Sequence, residues 1–368
     1  MEIRFASTQD EREAILRLGY EIYVQDMGWD DVGDHQRRVL EFPDDQTARF
    51  LYAAEGGRVV GAMRLHWGAD APFTDETVTT YGLSRFLEVV DRQYVFVVSR
   101  FMIVPEHRAG PLAALLMNGA AEFGLEHQGE LAFCDCQPHL MNLYLRAGFR
   151  TYTRPVNHPT AGILVPLVMV AGDIAYLERV GSPFLELYKR YEHGSRVPER
   201  VAPLLDAPGT DRVSSGKEES ARLAREQCAL ARTGRPGIFD GLPEEVVGRL
   251  IERGFVINCA PGDRIIRKGI ADRTLYVILE GGVEIRVGDE ITDTASAGDV
   301  IGEMAFLLHA RRTANVYATV GGARILSLRE SALRQLREAE PAHSSQLYEN
   351  LARILCGKIV ALHRRYVL

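Results

Sequence analysis

Two short stretches of this 368-residue chain carry residue types that do chemistry when brought together. In "GEMAFLLHARRTANV", Gly302 to Val316, Glu303 and Arg312 flank an apolar run. If the chain between them forms a short helical turn and returns as a strand, both side chains enter one pocket. A guanidinium binds phosphate oxygens bidentately and a carboxylate accepts from a hydroxyl, so the pair suits a ligand with a hydroxyl beside a phosphate. In "FCDCQPHLMNLYLRAGF", Phe133 to Phe149, a strand leads into a helix that delivers Tyr144 just ahead of Gly148-Phe149. A phenol, with an ordinary pKa of about 10, holds a proton at neutral pH that it can give to a reacting group.

Different kinds of chain must position the two stretches. Before residue 194, apolar strand-like runs alternate with amphipathic helices: "EIRFA", a helix from about Gln9 to Gln25, and "FLYAAEGGRVVGAMRLHW", a hairpin around Gly56-Gly57. "YVFVVSRFMIV" follows as a long strand, "PLAALLMNGAAEFGLEH" as a helix, "LAFCDC" as a buried strand, "PHLMNLYLRAG" as a helix and "GILVPLVMV" as a last strand. The class is mixed α/β. The text from Gly194 to Ser220 collects prolines, serines, glycines and charges without apolar periodicity and reads as a linker. Glu218 to Arg232 reads as a connecting helix. Beyond it, short strands punctuated by glycines suggest a small antiparallel barrel or jelly roll, and the chain ends in helical text. The expected domains are residues 1–193, a linker and connecting helix over 194–233, and residues 234–368.

Composition narrows the classes of function. With 46% hydrophobic and 25% charged residues the chain reads as globular, and its length favours two domains. A formal net charge of -7 gives no global basic field for nucleic acid or an anionic membrane. Five scattered cysteines argue against a disulfide framework and for a reducing compartment, so a cytoplasmic location is expected. The first residues lack the pattern of a signal peptide, and the longest apolar run, "AGILVPLVMVAG", is too short to span a membrane. No spacing of histidines or cysteines suggests a metal site, and Cys134 and Cys136 read as core thiols. Walker-type glycine loops, Gly-x-Ser-x-Gly elbows and His-Glu-x-x-His helices are missing from the text.

"GEMAFLLHARRTANV" resembles the phosphate-binding cassette of the cyclic nucleotide-binding domain, and the glycine pattern from Pro261 to Leu328 resembles that family's barrel. The resemblance implies that Glu303 holds a ribose 2'-hydroxyl and Arg312 a cyclic phosphate. It also implies that the segment from Gly302 through Met304 and Ala305 supplies backbone donors, and that Thr313 reaches the phosphate or purine. Cyclic AMP or cyclic GMP is the expected regulator. His309 stands where the family usually has glycine, and Arg311 where proline is common. Too little chain follows Leu336 for a helix-turn-helix, so the closing helices read as a packing or dimer face, and a homodimer is among the expected assemblies. The alternative is a barrel that keeps the fold without the ligand, as a docking module.

"RFMIVPEHRAGPLAALLMNGAAEFG" and "FCDCQPHLMNLYLRAGF" together resemble the GNAT acyltransferase superfamily. The resemblance implies a thioester donor lying along Met102, Ile103 and Val104, a loop with Arg108 and Gly110 leading to a helix from Leu112, and Tyr144 as the acid for the leaving thiolate. Pro111 and the changed glycine spacing leave fewer amides for a coenzyme A pyrophosphate, which favours acyl carrier protein as the donor's carrier, with acyl-CoA the other choice. "LRLGYEIYVQDMGW", "EFPDDQTARFLYAAEGGRVVGAMRL" and "VVSRFMIV" resemble acyl-homoserine-lactone synthases and N-acyl amino acid synthases. Arg64, Arg100, Trp29, Glu41, Asp44 and Asp45 fall on matching positions. Arg100 with Arg64 and Trp29 would bind the acceptor, Arg100 through the carboxylate of an amino acid, while Asp45, Asp44, Glu41 or a water would serve as base. Gly19 replaces an arginine typical of the first helix, and Val97 stands where autoinducer synthases place a glutamate. The resulting expectation is an N-acyltransferase, with a long-chain donor, an amino acid acceptor and cyclic-nucleotide control. The alternatives are a protein-lysine acetyltransferase using acetyl-CoA, and a sensor or scaffold without turnover.

Overall fold

The computed structural model describes residues 2–29, 31–108, 110–153, 155–158, 161–191, 197–205, 217–230, 237–288 and 290–366. The chain divides into two compact units, residues 1–156 with 164–210 and residues 157–163 with 211–368. Unit 1 carries most of a sheet built on the strands β1 (Glu2–Phe5), β2 (Arg49–Glu55), β3 (Arg58–Trp67), β4 (Val95–Ile103), β5 (Leu131–Cys136), β6 (Arg150–Thr151), β7 (Val156–His158) and β8 (Gly162–Val170), of which residues 157–158 of β7 and 162–163 of β8 are counted with unit 2. The sheet runs β1-β2-β3-β4-β5-β8-β6. Along this path only β4 and β5 are parallel neighbours, so the sheet is mixed. The helices are α1 (Gln9–Gly19), α2 (Asp75–Tyr81), α3 (Ser84–Leu87), α4 (Leu112–Glu126), α5 (Met141–Ala147), α6 (Ile174–Val180), α7 (Leu185–Arg190) and α8 (Val197–Leu205).

Local chemistry accounts for these elements. Gly56 and Gly57, at φ 58° and 83°, close the β2–β3 hairpin because both central positions of such a turn need positive φ. The Thr8 hydroxyl accepts from the Glu11 amide, and the Glu11 carboxylate accepts from the amides of Ser7 and Thr8, which fixes the start of α1. The helix expected to reach Gln25 leaves the α form at Gly19 and continues as a π-helix over Tyr20–Asp26, a widening that recurs at functional sites.

Core packing lies on both faces of this sheet. Ile15, Leu16 and Leu18 of α1 join Phe50, Leu51, Met63, Met102, Leu112 and Leu116 in one buried cluster. A second holds Tyr81, Phe86, Val97, Phe133, Tyr152 and Val168. To it α8 adds Val197, Val201 and Leu205. This helix stands where a linker without regular structure was expected: four-residue spacing of its apolar positions outweighs Pro203 inside it. Of the same linker, residues 194–196, 206–216 and 231–233 lie outside the described residues.

Unit 2 is an antiparallel sheet of β9 (Phe255–Cys259), β10 (Arg264–Ile266), β11 (Thr274–Val287), β12 (Glu290–Ser296), β13 (Val300–Ile301) and β14 (Asn315–Arg329), in the order β10-β14-β11-β12 with β13 on β11 and β9 on β14. Its helices are α9 (Lys217–Leu230), α10 (Glu244–Arg253), α11 (Glu303–Leu308), α12 (Glu330–Ala339) and α13 (Pro341–Tyr366). The register between β11 and β14 shifts between Gly281 and Val283, where Gly321-Gly322 lies opposite, so the two long strands turn a corner together. Alternation then divides the core: Leu275, Val277 and Leu279 face the helices, while Tyr276 and Ile278 face Ile257, Val283, Val316 and Ile325.

Candidate functional site

In unit 1 the parallel pairing of β4 with β5 stops after Val95–Leu131, Phe96–Ala132 and Val97–Phe133, although β4 runs on to Ile103 and β5 to Cys136. Beyond Val97 the two strands part. On the other edge of β4 the register with β3 jumps between Ala62–Met102 and Arg64–Ser99. This bulge sets Arg100 at φ 49°, a conformation rare for a residue with a side chain. Cross-strand partners share a face and residues alternate along a strand, so His66, Arg64, Val97, Ser99, Phe133 and Asp135 all belong to one face of the sheet.

Acids and arginines form a network over this face. Arg64 Nη1 donates to Asp44 Oδ1 at 2.9 Å and to Asp45 Oδ1 at 2.8 Å, and its Nε donates to Ser99 Oγ at 2.9 Å. Arg100 Nη1 donates to Asp45 Oδ2 at 2.8 Å, the same oxygen that accepts from the Phe42 amide. The Arg100 guanidinium also stacks over Phe42 at 4.2 Å. Asp45 is only 3% exposed. Burial pushes its carboxyl up, but Arg100 and Arg64 outweigh that and hold it below the ordinary value. For Arg100, burial lowers the pKa, Arg64 adds to the lowering and Asp45 opposes both.

Phenols gather beside this network. Tyr23, on the π-helical segment, stacks against Trp29 at 4.5 Å between ring centres. Burial raises the Tyr23 phenol to about 12, with Arg100 and Arg64 opposing and Asp135 adding to the rise. Tyr144 is 8% exposed and packs edge-on against Phe149. Burial raises its phenol well above the ordinary value, helped by Cys134, Cys136, Asp135 and Tyr23, so it keeps its proton at neutral pH. The Tyr81 hydroxyl donates to Asp135 Oδ2 at 2.5 Å, and the Tyr81 carbonyl accepts from the buried Tyr152 hydroxyl at 2.7 Å. Asp135 therefore lies within electrostatic range of Tyr144 from α5 and Tyr23 from the π-helix.

Around the loop that follows β4, Met102 and Val104 are buried and Leu112 begins α4. Arg108 donates through Nε to the Ile103 carbonyl at 2.9 Å and through Nη2 to Asp26 at 2.6 Å. The amides of His107, Arg108 and Gly110 bond the carbonyls of Val104, Pro105 and His107. These three amides are satisfied within the loop, and Pro111 supplies none.

In unit 2, Glu303 and Arg312 are 7% and 4% exposed. Arg312 Nη1 donates to the Gly302 carbonyl at 2.8 Å, and Nη2 to Asp272 Oδ2 and the Thr274 carbonyl, each at 2.6 Å. Its Nε is buried without a hydrogen-bond partner among the described residues. A methyl added at Gly302, whose φ is 80°, would meet Arg312 Nη1 at 2.2 Å, so this approach demands glycine. Glu303 Oε1 accepts from Lys358 Nζ of α13 at 2.9 Å, and the same ammonium donates to the Val300 carbonyl at 2.8 Å. His309 takes φ 51° at the end of α11, where glycine was noted as usual. Met304 and Thr313 are exposed, and Ala305 is buried.

The structure brings Arg64, Arg100, Asp44 and Asp45 together, and places Trp29 against Tyr23. Glu41 lies apart, exposed and paired with Arg37 at 3.5 Å. Sequence reading missed Asp135, Tyr81 and Lys358. The signal for Asp135 was one charged residue inside an otherwise apolar strand. Among the described residues no cluster of three or more His, Cys, Asp or Glu suits a metal, and no helix is long and apolar enough to cross a membrane.

Residues 14–173 match the family model N-acyl amino acid synthase FeeM, and residues 256–340 match the model cyclic nucleotide-binding domain. The chain is 28% identical over 118 residues to an isovaleryl-homoserine lactone synthase of Bradyrhizobium diazoefficiens, covering 32% of this chain and 53% of that protein. It is 31% identical over 124 residues to the human cyclic nucleotide-gated channel beta-3, covering 32% of this chain and 15% of that one. It thus spans about half, or less, of these curated relatives. Among solved structures, a CoA-dependent acyl-homoserine lactone synthase with SAM and isopentyl-CoA aligns at 22% identity and TM-score 0.39, covering 51% of this chain and 97% of that one. A cyclic nucleotide-binding domain from Methylobacillus flagellatus aligns at 19% identity and TM-score 0.36, covering 40% and 84%.

Proposed function

We propose that this chain, in which residues 14–173 form a domain of the N-acyl amino acid synthase family and residues 256–340 a cyclic nucleotide-binding domain, transfers an acyl group from a thioester to an amino acid amine under cyclic-nucleotide control. The observation that carries the reading is the parting of β4 from β5 beyond Val97, with Arg100 on the freed length of β4 and Tyr144 within electrostatic range of Cys134, Asp135 and Cys136 on the freed length of β5. Unpaired strand edges hold the linear arm of the donor, and backbone amides there receive the thioester oxygen as charge develops on it. The acceptor nitrogen attacks the carbonyl carbon, the carbon–sulfur bond breaks and the Tyr144 hydroxyl gives its proton to the thiolate.

Arg100 favours an amino acid over a protein lysine. Its Nη1 is on Asp45, and among the described residues Nε and Nη2 make no hydrogen bond, which leaves donors for a carboxylate. Arg64 bonds the same carboxylate, Asp45, and Trp29 stacks on Tyr23 nearby in the chain. Asp45, with both oxygens on arginines, acts as their anchor, and Glu41 has no part in the chemistry. The internally bonded loop at Arg108 and Gly110 favours acyl carrier protein, which brings a phosphopantetheine arm without the adenosine diphosphate of coenzyme A.

In unit 2 the residues fit a cyclic nucleotide. The Arg312 Nε is a buried donor that the cyclic phosphate would satisfy, the amides at Met304 and Ala305 open α11, and Glu303 is placed for the ribose 2'-hydroxyl. Expression of the native chain and of Tyr144→Phe, followed by mass spectrometry of lipid extracts, tests the enzyme reading. N-acyl amino acids made only by the native chain support it, and identical extracts overturn it.

A further inference from the structure

An amino acid enters a neutral active site as its ammonium form, which has no lone pair with which to attack, so the site needs a group that binds the ammonium and takes a proton. The acids singled out in the sequence do not supply it. Asp45 has each oxygen on an arginine, Asp44 is held by Arg64, and Glu41 is an exposed partner of Arg37.

Asp135 has the required placement. It lies on β5 two residues past Phe133, the last residue paired with β4, and on the sheet face that carries Arg64 and Ser99. Its other neighbour across the sheet is Pro166 of β8. The Tyr81 hydroxyl, held through its own backbone by Tyr152, fixes the carboxylate from α2. We infer that Asp135 binds the ammonium of the acceptor across the β4–β5 gap from Arg100 and is the base that deprotonates it. The inference rests on the acyltransferase reading and deepens it: anion and cation on opposite sides of the gap complement a zwitterion, so the acceptor is a free amino acid.

The protons balance. Asp135 takes one proton from the ammonium, and the neutral amine forms the carbon–nitrogen bond as the carbon–sulfur bond breaks. Tyr144 gives its proton to the thiolate, and its phenolate recovers one from the new amide nitrogen. One proton, on Asp135, leaves to solvent. The titratable groups within range of Asp135 include Tyr81 from α2, Tyr144 from α5, Tyr23 from the π-helix, Tyr152 and Cys134, with Cys136 alongside. Burial raises the four phenols and the Cys134 thiol, so none of these five loses its proton near neutrality.

The test uses the full chain with palmitoyl-CoA or palmitoyl acyl carrier protein and a mixture of the common amino acids, reading amide by mass spectrometry and thiol release by colour. Asp135→Asn should cut turnover at neutral pH about 100-fold or more. Its rate should climb back toward native as the pH approaches about 9, where the acceptor amine loses its proton unaided. Tyr81→Phe leaves the carboxylate but frees it, and should raise the acceptor KM more than it lowers kcat. If Asp135→Asn matches native turnover, or loses activity that alkaline pH does not restore, the inference fails while the native amide still supports the acyltransferase reading. If native protein makes no amide from either donor, both fall. Should Asp135→Asn not fold, Tyr81→Phe decides, and an unchanged acceptor KM overturns the assignment.

Discussion

Lys358, near the end of the long closing helix, sets its ammonium 2.9 Å from the carboxylate of Glu303 at the start of the nucleotide cassette. The acid proposed to accept a ribose hydroxyl is thus already occupied by a cation from α13. A nucleotide has to displace Lys358 or share Glu303 with it. Lys358→Met should therefore tighten cyclic AMP or cyclic GMP about 5-fold, the order expected of a partly buried pair worth about 1 kcal/mol. Calorimetric titration checks this, and unchanged or weaker binding counts against competition. By linkage, nucleotide should loosen α13, which hydrogen exchange over residues 350–366 would register.

Arg312 holds three acceptors on two chain segments: Asp272 and the Thr274 carbonyl on one, the Gly302 carbonyl on the other. A lysine keeps the charge but cannot span them. Arg312→Lys should weaken cyclic nucleotide about 10- to 150-fold, the loss of charge-assisted bonds worth about 1.5 to 3 kcal/mol, and should lower the denaturation midpoint. Native-like binding by the folded variant would remove Arg312 from the site.

Among the described residues the Tyr144 hydroxyl makes no protein hydrogen bond, so removing it costs the fold little. Tyr144→Phe should leave the unfolding midpoint nearly unchanged while turnover falls about 100- to 10,000-fold. Equal kcat would show that the thiolate leaves without this proton.

Glu11 accepts from the Ser7 amide, the Tyr52 hydroxyl and the Thr8 amide, which together lower its carboxyl to about 2. A lowered folded pKa gives stability that is complete above the unfolded value of about 4.5 and is lost as pH falls toward 2. The native protein should lose stability between those values more steeply than Glu11→Gln, as acid titrations followed by circular dichroism would record.

What was legible in the sequence was local. The Gly56-Gly57 turn, the run of strand and helix around Tyr144 and the Glu303–Arg312 cassette each sit within a few dozen residues, where periodicity and turn chemistry speak directly. Partnerships across long stretches were not. Asp45 read as a base because nothing nearby in the chain announces that Arg64 and Arg100 meet it. Asp135 passed without notice in "LAFCDC", which read only as a buried strand, because Tyr81, its hydrogen-bond partner, is 54 positions away. Lys358 sat in text that looked like plain helix, and only the fold carries it to Glu303. The helix over 197–205 was hidden by its prolines and is held by its contacts with the core.

The parting of β4 and β5 leaves a seam inside the sheet itself rather than at its rim. Among the described residues, alternate amides along residues 98–103 on that seam have no neighbouring strand to protect them. They should exchange with solvent sooner than the paired residues 95–97 and slow when a donor arm fills the seam. The substrate would then be a removable strand, and the sheet would reach its full protection only during turnover.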